Sequence, residues 1–110
     1  MKLSKYEARY ILNWAGWTLE DSQHWGNGKS FLPLEEEILK KIENALDYVQ
    51  FNLPEVNIIF YWASNYLKGG SALLGEDIVI LKKILKFYKS LNINDEKIKE
   101  KIKYIESVLK

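Results

Sequence analysis

The residues best suited to chemistry cluster in one stretch, Glu20 to Ser30, which holds Asp21, Ser22, His24, Trp25 and Lys29. His24 is the only imidazole, and the chain has no cysteine. A metal centre needs three or four ligands, so carboxylates would have to supply the rest. Glu20 and Asp21 stand close by, but their spacing matches no ligand signature. Asp21, Ser22 and His24 are the letters of a hydrolytic triad. Triad members usually come from separate elements, because neighbours in one loop seldom reach the required geometry. Gly26-Asn27-Gly28-Lys29-Ser30 has the letters that close a phosphate-binding P-loop. That motif also needs a glycine at position 23, where Gln stands, and a buried strand beforehand, where the pattern is helical. Elsewhere, Glu35, Glu36 and Glu37 fall on the first turn of a helix, where the dipole explains them. No catalytic residue, metal ligand set or cofactor site emerges, and the expectation is that the chain is not an enzyme.

Two side-chain stripes are better suited to binding. On a helix, Leu3, Tyr6, Tyr10, Trp14 and Trp17 fall within an arc of about 80°. Trp25 follows them. Such a stripe reads either as core or, because Tyr and Trp are favoured at binding centres, as a partner-binding patch. The second stripe is Lys82, Lys83, Lys86 and Lys89, within about 120°, with Lys97, Lys99, Lys101 and Lys103 beyond it. It reads as a solvated face or as a cradle for phosphates. Residues 82–110 contain neither Arg nor Gln, so nucleic acid would be held by its backbone, in a salt-sensitive way. A helix-turn-helix drawn here would turn Asp95 and Glu96 toward phosphate, which counts against it.

Five helices are expected to position these groups. The first starts at Ser4, where Ser4 and Glu7 spell a capping box, and fades near Thr18 or Leu19. Its face opposite the aromatics carries Lys5, Ala8, Arg9 and Gly16. Residues 20–32 lack an apolar period and read as a long loop. Pro33 opens the second helix, whose broad apolar face is Leu34, Ile38, Leu39, Ile42, Ala45, Leu46 and Val49. Asn52 to Glu55 caps the third, which runs to about Lys68 and is apolar over about 200°. Its NIIFYW run is also strand-like, but its length and cap favour a helix. Gly69-Gly70 ends it. Glu76 and Asp77 open the fourth, to about Leu91. Asn94 or Asp95 caps the fifth, whose seam of Ile98, Ile102, Ile105 and Leu109 is only about 60° wide.

Composition sets the frame. At 110 residues with 47% hydrophobic and 28% charged side chains, the chain reads as one globular domain, 1–110. Residues 1–81 carry 7 basic and 11 acidic groups (net −4), and residues 82–110 carry 9 and 4 (net +5). The whole is +1, with no global pull toward nucleic acid or membrane. The longest apolar run, Ile58 to Ala63, is far short of a membrane span. No signal peptide is apparent, and the absence of cysteine gives no argument for secretion.

The expected fold is all-α: a compact bundle of about five helices around a central, mostly apolar helix at residues 54–68. The expected function is that of a small cytoplasmic interaction or regulatory protein that binds another protein, or a second copy of itself. Its lysine- and isoleucine-rich style also suits a viral or mobile-element inhibitor of a host factor. One alternative is nucleic-acid or phosphate binding through Lys82, Lys83, Lys86 and Lys89. Another is a small-ligand pocket near Trp25, His24 and Tyr61.

Overall fold

The computed structural model describes residues 1–21, 33–70 and 72–110, without the side chains of 17–21. His24, Trp25, the 26–30 motif and the Trp17 side chain lie outside the described residues. The described chain is all-α apart from a two-stranded ribbon. In order, it forms β1 (Lys2–Ser4), α1 (Lys5–Asp21), α2 (Pro33–Asn44), β2 (Tyr48–Gln50), α3 (Leu53–Lys68), α4 (Gly75–Ser90) and α5 (Glu96–Val108).

Helix starts follow the capping chemistry of the sequence. Ser4 N–H donates to Glu7 Oε1 at 2.9 Å, and Glu7 N–H donates to Ser4 Oγ at 3.2 Å. The same reciprocal box joins Asn52 and Glu55, at 2.8 and 3.0 Å. Asp95 accepts from the backbone of Lys97 and Ile98, satisfying orphan donors of α5. Glu96 follows that cap in the first turn of α5. At the end of α3, Gly70 adopts φ +85°, a left-handed turn that glycine enters without steric cost.

Contacts divide the chain into two units, Met1–Ala72 and Leu73–Lys110. In the first, α3 packs against both α1 and α2, as a mostly apolar central helix should. Val56, Ile59, Trp62 and Ala63 are buried on it, with Ala8, Ile11, Trp14 and Ala15 of α1 and Ile38 and Ile42 of α2. Each large aliphatic so buried contributes about 1.5–3 kcal/mol. The buried Glu35 carboxylate accepts from Trp62 Nε1 at 3.2 Å, giving the indole N–H a partner inside the core. In the second unit, α4 and α5 pack together, and Ile80, Leu81, Ile84 and Tyr88 of α4 and Ile98 and Ile105 of α5 are buried. Of the α5 seam, Ile98 and Ile105 are buried, and Ile102 and Leu109 are partly exposed.

Three sequence expectations change. The second helix stops at Asn44 rather than carrying through Val49. Tyr48, Val49 and Gln50 instead pair with residues 2–4, and that pairing buries Val49 against Leu3 while leaving Leu46 outside. The buried face of α1 also turns away from the aromatic stripe. It is centred on Ala8, Ile11 and Ala15, the two alanines being small enough to admit α3 closely, and among the described side chains of α1 only Trp14 belongs to both. Lastly, α1 extends to Asp21, past the expected fade at residue 18 or 19.

Candidate partner-binding surface

The ribbon positions the most distinctive surface of the first unit. Its register is antiparallel, with Lys2 opposite Gln50, Leu3 opposite Val49 and Ser4 opposite Tyr48. Phe51 N–H donates to Met1 O at 2.8 Å and Lys5 N–H to Asp47 O at 2.9 Å. These bonds put the odd-numbered pairs in register for hydrogen bonding. Lys2, Ser4, Tyr48 and Gln50 therefore turn their amides away from the neighbouring strand. Side chains alternate as well: Leu3, Val49 and Phe51 are buried, while Lys2, Tyr48 and Gln50 face outward.

Tyr48 is 62% exposed and Leu46, two residues earlier, 83%. The Lys2 ammonium lies 4.3 Å from the centre of the Tyr48 ring, a cation–π contact that holds the phenol across the ribbon. Beside the far edge of β2, the end of α2 leaves a groove of about 540 Å³, lined by Lys40, Lys41, Asn44, Ala45, Leu46, Tyr48, Val49 and Gln50. Lys41 marks one end of it. Its Nζ donates to Gln50 O at 3.1 Å and pairs with the buried Glu55 carboxylate at 2.7 Å. The box that caps α3 thus also anchors the wall of the groove.

The sequence-named aromatics separate. Tyr6 is 71% exposed, and Tyr10 is half-buried with its ring edge-on to Trp14 at 6.2 Å. Trp14 is only 1% exposed, so it is a core residue and cannot serve as a contact residue on the folded surface. The Trp17 side chain, Trp25 and His24 lie outside the described residues. Tyr61, the remaining member of the expected ligand pocket, is exposed on α3. Sequence reasoning missed Leu46 and Tyr48. Their signal was the aromatic and β-branched Tyr48-Val49 pair, but three residues are too few for a period of two to stand out.

In the second unit, Lys82 and Lys86 are exposed on α4, Lys83 is partly so, and Lys89 pairs with Glu106 of α5 at 3.4 Å. The opposite side of α4 buries Tyr88, and Lys101 Nζ lies 5.9 Å from its ring. Burial raises the Tyr88 phenol well above its ordinary range and raises Tyr104 too. Burial also lowers Lys101; Asp95 opposes that shift and Lys97 adds to it. A phenol raised on folding stays protonated while the unfolded chain ionises near about pH 10. The unfolded state then holds fewer protons, so Tyr88 stability is complete below that pH and is lost as pH climbs above it. Tyr88→Phe should flatten this alkaline loss, read as denaturation midpoints between neutral pH and pH above 10. An unchanged alkaline slope would contradict it.

A further cleft of about 580 Å³ opens along α1 and α2, with Leu12, Ala15, Gly16, Leu39 and Ile42 as its floor and Arg9 and Glu43 as its polar members. Among the described residues no three carboxylate or imidazole groups gather as a metal site would require. No helix is long and apolar enough to cross a membrane among the described residues. Comparison with protein-family models, curated proteins and solved structures finds no match to the chain.

Proposed function

We propose that this chain is a non-enzymatic interaction protein that acts in the cytoplasm by binding another protein through the outer face of the β1–β2 ribbon. The observation that carries this reading is the adjacent exposure of Leu46 and Tyr48 beside a groove. Aromatic and aliphatic side chains left together outside a core are typical binding anchors, and basic residues at their rim add specificity. The same segment buries Val49, so the anchors stand on a backbone fixed by the core.

A second reading draws on the second unit. Lys82, Lys83 and Lys86 share the outward side of α4 with no acidic residue between them, a fit for phosphate groups.

One experiment addresses both. The purified chain is immobilised and used to capture partners from its source cells, beside a Leu46→Asp/Tyr48→Asp variant and a Lys82→Glu/Lys86→Glu variant. Both variants change exposed side chains and should keep the wild-type circular dichroism. A protein recovered by the wild type should fall at least about tenfold with the ribbon variant, as loss of a hot spot implies. Equal recovery would contradict the ribbon reading. Nucleic acid recovered at low salt and lost only with the lysine variant would favour the second reading.

A further inference from the structure

The free edge of β2 lies in the groove just described, and its backbone supplies what the side chains alone do not. Tyr48 and Gln50 point their amides away from β1. Of the four polar groups so presented, Gln50 O is taken by Lys41 Nζ. The Tyr48 N–H, the Tyr48 carbonyl and the Gln50 N–H have no partner among the described residues. They form a short ladder that opens onto the groove. The groove's lining includes Lys40 and Lys41 and no acidic side chain. Its apolar members are Ala45, Leu46, Tyr48 and Val49.

We infer that the partner protein supplies an extended segment of alternating acidic and apolar residues, which adds to β2 as a third strand. This deepens the protein-binding reading and rests on it. Main-chain bonds to Tyr48 and Gln50 would hold the segment, and alternate side chains would set its identity. Apolar ones would meet Leu46 and the Tyr48 ring, and acidic ones the exposed Lys40. A two-stranded ribbon of three residues per strand is a minimal sheet, and a third strand enlarges it without disturbing the β1 pairing. Charge distinguishes this occupant from a second copy of the chain. Two β2 edges pairing with each other would set the groove of one copy, with its exposed Lys40, against the same groove of the other, which like-charge repulsion opposes.

The test uses the intact ¹⁵N-labelled chain and four short capped peptides. One alternates Glu and Val, two carry the same sequence with N-methyl groups on alternate amides, one in each phase, and one alternates Lys and Val. The Glu–Val peptide should shift the Tyr48 and Gln50 amides and slow their hydrogen exchange. N-methylation in the edge-facing phase should weaken it about fivefold or more, the worth of a net backbone hydrogen bond. The Lys–Val peptide should bind at least as much more weakly. Gln50→Pro removes one outward N–H from an edge strand and should weaken the Glu–Val peptide similarly. Tolerance of N-methylation in both phases, preference for the Lys–Val peptide, or absence of binding would each overturn strand addition. So would protection of the Tyr48 amide by the unliganded chain's own dimerisation, seen in sedimentation. If strand addition fails while cellular capture still depends on Leu46 and Tyr48, the surface reading stands and only the mode of docking is wrong.

Discussion

Trp62→Ala is expected to cost about 3–5 kcal/mol, the range for emptying a buried tryptophan site. Small domains are typically stable by only about 5–15 kcal/mol, so this change should remove much of the fold's stability. Trp62 is fully buried on the helix that α1 and α2 share, so its loss leaves a cavity no neighbour can fill without moving an element. It also takes a donor from the buried Glu35 carboxylate. Trp62→Phe separates the two effects. It keeps most of the ring and removes the N–H, so it should cost about 1–3 kcal/mol, the penalty for a buried acceptor deprived of a donor. Urea denaturation of both variants provides the measurement. An alanine variant within about 1 kcal/mol of wild type would contradict the packing described.

Trp14→Ala should be nearly as severe, at about 3–5 kcal/mol, while Tyr6→Ala in the same stripe should stay within about 0.5 kcal/mol. The contrast follows from burial: Trp14 is inside and Tyr6 is mostly in water. Part of the Trp14 cost is the edge-on contact with Tyr10, worth about 0.5–1.5 kcal/mol. Urea midpoints for both variants decide the matter. Comparable small losses at both positions would mean that the stripe is a surface patch after all, and comparable large losses would place Tyr6 in the core.

These residues also mark what could be read from the chain alone. Capping chemistry was legible because it is local: Ser4 with Glu7, Asn52 with Glu55 and Asp95 are each recognisable within four residues. The central α3 was legible because a helix apolar over most of its circumference must be surrounded. The face of α1 was not. Aromatic mass drew the reading toward Tyr6 and Tyr10, whereas close packing on α3 selected the alanines nearly half a turn away. Helical periodicity misled at residues 45–49 too. Leu46 and Val49 continue the spacing of Ile38 and Ile42, yet a pairing across some forty residues overrides it. That pairing creates the ribbon surface, so the candidate site was illegible for the same reason the second helix was drawn too long. The lysine stripe of α4 was legible, since its positions follow from the helix itself.

The most direct measurement is amide shift mapping of the ¹⁵N-labelled chain on addition of the protein recovered from its source cells. Shifts confined to residues 45–50 and the facing β1, unchanged in kind between low and moderate salt, are the expected outcome. Shifts confined to α4 around Lys82 and Lys86 that vanish as salt rises, with the ribbon amides unmoved, would contradict it.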